Sequence, residues 1–425
     1  MADVVIIGGG LTGLGTAVEL ADRGAEVVVL EKDGLGFEQT VRSNAALRLP
    51  GPGPLAIESE SVTGASMVGW DQFEDRFGED IELDRGGWST LVVDDDDRAW
   101  LAAQSTTLGV SEQIDLTALT PPDEVRARWP ALAGEFLGMH TKPGGHVNRM
   151  RVVAALHRAA LARGARFSVG TMAVGFDLSR RKITAVRTLQ ERFSCQQVVI
   201  AGGVWTPRLL DALGTRVPMQ RVRVPSGETA PIGDRLFPGF IRAGKFTMRQ
   251  SADGVVRFGG GYRAPEYVHD LSLDDVRDLR TWAPALLHHV RGATFRVDWA
   301  IARNDLRRRR RRLRNGPDFV PTGWEPRPWR RYSESKLASA ARVVPSLANH
   351  RLQRTSSGVV DITPDFEPYV GRVPTADNAW VAAGMSGHGF ILGPGTWRAV
   401  AEGIVDGRSA LDLRPYRVDR FAQLP

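Results

Sequence analysis

Residues 3–32 read DVVIIGGGLTGLGTAVELADRGAEVVVLEK, and the reading of this stretch decides the fold. Val4, Val5, Ile6 and Ile7 form a short apolar strand, Gly8, Gly10 and Gly13 punctuate a turn, Leu11 to Arg23 has the pattern of a helix, and Val27 to Leu30 form a second buried strand ending at Glu31. Each glycine has its own task. The first permits the tight strand-to-helix turn, the second lets the backbone approach a pyrophosphate, and the third lets the helix lie close against the sheet. The helix then aims its free N–H groups and the positive end of its dipole at that pyrophosphate. Glu31 stands where a carboxylate accepts hydrogen bonds from ribose hydroxyls, so an adenosine ribose without a 2′-phosphate is expected. A glycine pattern alone is a weak signal; here strand, glycines, helix, strand and acid follow in order within one unit. The stretch by itself leaves open which dinucleotide is bound.

A chain of 425 residues that is 42% hydrophobic has enough apolar material for two domains or one large interleaved pair. Its formal charge of +6 and pI of about 9.8 give a mild bias toward acidic small molecules. The single cysteine, Cys195, lies in the apolar run Phe193 to Ile200, which excludes an intramolecular disulfide or a cysteine-rich metal site and suits a small core residue. Met1 leads straight into the first strand and no apolar run approaches bilayer-spanning length, so a cytoplasmic enzyme without membrane association is expected. His288 and His289 lack companions at ligand spacing, and no metal site is read. The run Arg307 to Arg312 has no aromatic stacking pattern beside it, so a solvated helix end is the simpler reading and no nucleic-acid partner is expected.

Further along, Ser61 to Phe77 reads as a helix, Ser89 to Val93 as a strand and Asp94 to Asp97 as a solvated turn. Arg149 to Gly164 is an amphipathic helix with Val152, Val153, Leu156, Ala160 and Leu161 on one face. Gln197 to Trp205 is a second strand-then-glycine element, suggesting that the nucleotide-binding sheet returns after an inserted segment. Arg221 to Val224, Phe246 to Arg249 and Val255 to Gly259 read as strands of a different, mixed or antiparallel sheet. Asp270 to Val290 and Phe295 to Leu313 read as helical, Ser333 to Leu347 as a helix, Trp380 to Gly395 as a strand and glycine-rich loop, and Thr396 to Asp406 as a closing helix.

With the first glycine motif, three later segments occur in order: Val199-Ile200-Ala201-Gly202-Gly203-Val204-Trp205, Thr363-Pro364-Asp365-Phe366-Glu367-Pro368-Tyr369-Val370-Gly371 and Gly384-Met385-Ser386-Gly387-His388-Gly389-Phe390. In this combination the chain resembles the D-amino-acid-oxidase superfamily of FAD enzymes, in its sarcosine oxidase, glycine oxidase and dimethylglycine dehydrogenase branch, over nearly its full length except about 265–331. The resemblance implies an α/β fold in which a Rossmann-like FAD-binding domain (residues 1–78, 143–216 and 346–425) is interleaved with an α+β substrate domain built on a mixed β-sheet (79–142 and 217–345, with a helical insertion over 265–331).

The resemblance also implies a set of site residues. Gly8, Gly10, Leu11, Thr12, Gly13, Glu31 and Lys32, the loop Arg42, Ser43 and Asn44, then Val174, Ala201, Gly202 and Trp205 would border FAD. Gly387, His388, Gly389 and Phe390 would lie along the pyrimidine edge of the flavin, where backbone N–H groups meet developing negative charge. Arg48 matches a position that commonly anchors a substrate carboxylate, a surface or phosphate-contacting arginine being the alternative. Arg249, Arg257, Tyr262 and Arg263, on the strands roofing the flavin, are the candidate substrate contacts, with His388 the other catalytic candidate. Gly358 replaces the flavin-tethering cysteine of the monomeric sarcosine oxidases, so FAD is expected to be non-covalent. Ile391 replaces a lysine that anchors carboxylates, and Arg257 is the nearest match to a lysine that assists oxygen. The expected activity is two-electron oxidation of the C–N bond of an amine or amino acid, with molecular oxygen reoxidising the flavin. The alternative is oxygenation of a bulky, heteroaromatic carboxylic acid in a biosynthetic pathway. A homo-oligomer is compatible with either.

Overall fold

The computed structural model describes residues 1–50, 61–104, 115–262, 268–271, 281–282, 294–297, 299, 302–303, 306 and 325–421. Arg263, His288, His289 and Arg307 to Arg312 lie outside this set. The first sheet runs in the order Tyr369–Arg372, Ala379–Ala383, Arg192–Ile200, Ala2–Ile7, Val27–Glu31, Arg166–Val169, parallel along this path except for its first strand, with the antiparallel pair Ala173–Ser179 and Lys182–Thr188 joined to Arg192–Ile200. Both faces are covered, which is why its central strands are nearly continuous valine and isoleucine. Val4, Ile6, Val27 and Val29 enter one core and Val5, Ile7, Val28 and Leu30 the other. Cys195 is buried in the second of these.

The helix closing this domain begins earlier than the sequence reading placed it. It spans Gly389–Val405, so the stretch read as a glycine-rich loop is its first two turns. Pro394 inside a helix removes the N–H that would bond the carbonyl of Phe390. That carbonyl instead accepts from the indole Nε1 of Trp70. The glycines allow close packing rather than flexibility: a Cβ on Gly395 would meet the Val62 carbonyl oxygen at 2.1 Å, and one on Gly69 would meet Pro394 Cβ at 2.4 Å.

The second sheet is mixed and runs Thr294–Val297, Val268–Leu271, Gln220–Pro231, Val255–Gly260, Phe246–Gln250, Phe240–Arg242, Trp88–Val92, Gly138–Lys142, with Leu352–Ile362 also paired to Gln220–Pro231. The boundaries inferred above place Leu352–Ile362 with the cofactor domain, yet it bonds along its length to this second sheet. The register sorts the side chains by face. Trp88, Phe240, Arg249, Arg257 and Glu228 are cross-strand neighbours in one row, and Thr90, Arg242, Thr247 and Gly259 form the next row on the same face. Ile241, Met248 and Phe258 alternate to the opposite face, where they pack with Leu337 and Ala340 of the helix Arg330–Ala341.

Three local readings need correction. Asp94 to Asp97 is not a plain solvated turn: Asp95–Gln104 is a helix whose first turn carries the acids, suited to its positive end. Asp97 is buried and accepts from the Val93 N–H at 3.0 Å. Ser61 to Phe77 divides into Val62–Asp71 and Phe73–Phe77. Val268–Leu271 and Thr294–Val297, at the starts of two segments read as helical, are strands that extend the second sheet, the first paired to Gln220–Pro231 and the second to the first, so that sheet pairing overrides local period.

Candidate active site

The two sheets enclose a cavity of about 500 Å³. One end is the glycine turn. Gly8 has φ of +114° and a Cβ there would lie 2.3 Å from the Ala201 carbonyl oxygen, while a Cβ on Gly13 would lie 1.9 Å from the Gly8 carbonyl oxygen. Gly10 differs: a Cβ there meets nothing nearer than Thr40 Oγ1 at 3.4 Å, so its backbone borders open space at the N-terminus of the helix Leu11–Asp22. Glu31 ends the second strand, accepting from Gly9 N at 2.7 Å and Asp33 N at 2.8 Å. Burial pushes its carboxyl above the usual range, against the pull of those two N–H groups. A carboxylate has lone pairs beyond the two engaged, so further donors fit. Lys32 bridges Asp33 and Glu38, and Glu38 also takes the Trp205 indole N–H at 2.8 Å. Although burial pulls the Lys32 ammonium down, these carboxylates leave it raised.

The middle of the cavity is organised by a residue the sequence reading passed over. Asp361, buried on the strand Leu352–Ile362, accepts from Gln39 Nε2 at 2.9 Å and from Gly384 N at 2.7 Å, and its carbonyl accepts from Ser386 N at 3.1 Å. Gln39 in turn accepts from Val204 N at 3.1 Å. Burial pushes the Asp361 carboxyl up while Gln39 and Gly384 pull it back. This places Ser386 (φ +48°) and Gly387 (φ +87°) just ahead of His388, the N-cap of the helix Gly389–Val405. That helix start, rather than one at Thr396, brings the dipole end of a long helix to the cavity.

The other end is roofed by Trp88, Phe240, Thr247, Gly259 and Ser226. Thr247 Oγ1 is buried without a hydrogen-bond partner. Such a hydroxyl calls for a polar ligand atom.

Of the residues implied for the site, Gly8, Gly10, Leu11, Thr12, Glu31, Lys32, Arg42, Ser43, Asn44, Ala201, Gly202, Trp205, Gly387, His388, Gly389 and Phe390 line this cavity. Gly13 lies beneath the turn, and Val174 packs with Met172, Val204, Trp205 and Val359 just behind the wall. Arg48 is one ring away, its guanidinium 5.7 Å from the centroid of Trp88. Arg242, absent from the sequence reading, lies 5.8 Å from the same ring and donates to Thr90 Oγ1 at 2.9 Å. Tyr262 donates to the Leu91 carbonyl at 3.3 Å and packs on Trp100. Arg249 and Arg257 are both buried among protein groups rather than on the cavity wall. Burial and the neighbouring guanidiniums of Arg149 and Arg257 pull Arg249 down to about 9.

The glycine turn, the acid ending the second strand, the orphaned Thr247 hydroxyl and the cavity volume together fit a dinucleotide with a ring system under the roof. Residues 3–309 and 301–403 match the family described as DAO: FAD dependent oxidoreductase. The chain belongs to this family. As a DAO flavoprotein it is an FAD-dependent oxidoreductase of the amine and amino-acid oxidase type. Among similar proteins, the glycine oxidase of Pseudomonas putida is 23% identical over 429 residues, covering 97% of each chain. An uncharacterized oxidoreductase, YurR, of Bacillus subtilis is 24% identical over 427 residues, covering 98% of each. The structure of the L-amino acid deaminase from Proteus myxofaciens in complex with anthranilate superposes with a TM-score of 0.79 at 19% identity, covering 99% of this chain and 93% of that one. Among the described residues of this DAO protein, no helix is long and apolar enough to cross a membrane, and no cluster of three or more potential metal ligands occurs.

Proposed function

We propose that this protein oxidises the C–N bond of a small amine or amino acid bearing a carboxylate, with non-covalently held FAD and with molecular oxygen as the final acceptor. The observation that carries this reading is the roof: Trp88 and Phe240 cover one end of the cavity, and two guanidiniums, Arg48 and Arg242, lie 5.7 and 5.8 Å from the centre of the Trp88 ring. Bound FAD supplies a two-electron acceptor. The residues around it do the rest. Trp88 and Phe240 exclude water and hold the apolar part of the substrate, while Arg48 gives a permanently charged, bidentate partner for its carboxylate. The N–H groups at the start of Gly389–Val405, with His388 as the N-cap, favour negative charge at that edge of the cavity. In the reaction the C–H bond beside nitrogen breaks and a C=N bond forms, two electrons and two protons leaving. Water then adds to the imine, giving a carbonyl and a free amine. Dioxygen takes up the two electrons and two protons as hydrogen peroxide.

Anaerobic mixing of the yellow protein with secondary, tertiary and primary amino acids tests the reading: bleaching by one of them, followed by peroxide release on admitting air, is the expected result. If no amine bleaches the flavin, and an aromatic acid is consumed with incorporation of an oxygen atom, the proposal fails in favour of oxygenation. For a bleaching substrate, Arg48→Ala is expected to raise KM by about 10- to 100-fold with a smaller change in kcat, the size of one or two charge-assisted hydrogen bonds. Removing the carboxylate from the substrate should produce the same loss in the parent and no further loss in the variant.

A further inference from the structure

Arg257 projects from the roof strand Val255–Gly260 on its cavity side but does not reach the cavity. Four of its five N–H donors are engaged: Nε to Asn44 Oδ1 at 3.1 Å, Nη1 to the Glu228 carboxylate, and Nη2 to the Arg42 carbonyl at 2.6 Å and Ser226 Oγ at 3.0 Å. Glu228 also receives Arg149 Nη2 at 3.2 Å, and Arg149 Nε donates to the Val41 carbonyl. One carboxylate therefore gathers two guanidiniums, and each of these holds a consecutive main-chain carbonyl of the same segment. Against the upward push of burial, Arg257, Arg149 and Arg354 keep the Glu228 carboxyl below its usual range. The segment so held, Arg42 to Ala45, is cavity wall. At its end Ala45 is fully buried with φ of +51°, a left-handed conformation that a non-glycine residue keeps only when its surroundings impose it.

We infer that Glu228, with Arg257 and Arg149, is a positioning device that tensions residues 41–45 against the bound FAD, and that Arg257 is not a substrate ligand. The inference rests on FAD binding by this cavity and is independent of which amine is oxidised. It goes beyond local stability because the strut joins the roof strands Gln220–Pro231 and Val255–Gly260 to the start of the helix Arg149–Ala162 through the cofactor wall itself.

The test uses apoprotein reconstituted with FAD, for Arg257→Lys, Glu228→Gln and Arg149→Lys. A lysine cannot reproduce the planar fork that reaches four acceptors. For Arg257→Lys and Glu228→Gln the FAD Kd is expected to rise about tenfold, the size of one or two hydrogen bonds lost from the segment. The visible spectrum of the flavin that still binds should shift, and KM for the substrate should stay near the parent value. Arg149→Lys, at the outer end of the strut, should move Kd and spectrum the same way by less, and it carries the test should the more buried variants fail to fold. In the Glu228→Gln/Arg149→Lys double variant the two losses should combine to less than their product. A Kd within twofold of the parent in the folded variants, with an unshifted spectrum, overturns the inference, whether the melting temperature falls (a purely structural role) or KM rises (a substrate ligand).

Discussion

Gly10→Ala is expected to give a folded apoprotein that stays colourless at FAD concentrations that saturate the parent. Gly10 is the N-cap of Leu11–Asp22 with φ of −79° and ψ of −176°, a conformation any residue adopts, and the nearest atom to its added Cβ is 3.4 Å away. The protein alone therefore has little reason to object. The methyl group instead occupies the space through which the backbone N–H groups would approach the diphosphate, and the loss falls on the ligand. A rise in FAD Kd of about 100-fold or more, roughly 2.7 kcal/mol, is the expected size. Gly13→Ala should behave in the opposite order. Its Cβ would sit 1.9 Å from the Gly8 carbonyl oxygen, so the helix must lift from the sheet, and the apoprotein itself should lose about 1–3 kcal/mol or more. Flavin titration and thermal melting of both apoproteins separate the two effects. Normal FAD binding by Gly10→Ala would mean that the diphosphate does not lie along this turn.

The contrast between those two glycines could be anticipated from residues 3–32 because strand, turn, helix and acid are contiguous there, so each residue's task follows from its neighbours. The roof shows the opposite case. Trp88, Phe240, Thr247 and Gly259 meet only through the pairing of four strands whose register no local pattern reports. The sequence points to Arg249 and Arg257 on those strands and Tyr262 just beyond them, but not to Trp88 and Arg242. Arg257 illustrates the reason: it holds the carbonyl of Arg42 across 215 residues, and a lone arginine in a strand carries no sign of such a partner. The helix start at Gly389 was hidden by Pro394 and three nearby glycines, which normally end helices. Here tertiary contacts replace what the proline removes, through Trp70, and demand the missing side chains, through Val62 and Trp397.

Asp361 carries a local signal, an acid within the apolar end Val359-Val360-Asp361-Ile362 of its strand, where a buried charge is kept only with donors around it. Asp361→Ala is expected to be among the most damaging single changes in the cavity wall. It leaves the buried Gly384 N–H and one Gln39 amide hydrogen without acceptors, at about 1–3 kcal/mol for each. It also removes the side-chain tie to Gly384 N at the start of the turn carrying Ser386 and Gly387, leaving the bond from Ser386 N to the main-chain carbonyl of residue 361 to hold it, so FAD affinity should fall together with stability. Asp361→Asn should lie between. Its amide offers one oxygen for two donors, and if Gln39 turns its own oxygen to meet the new N–H, Val204 N loses its acceptor. The pH dependence distinguishes this acid from the usual ion-paired carboxylate. Because burial raises its folded pKa above 3.8, the ionised form carries a penalty at neutral pH that disappears as pH falls through the folded value toward 3.8. Its contribution to stability therefore improves on acidification rather than eroding. Melting temperatures of parent and Asp361→Asn, recorded on descending from neutral pH, should converge if Asp361 strengthens the fold only as an ionised acceptor, and diverge in favour of the parent if the desolvation penalty dominates, which is the outcome expected.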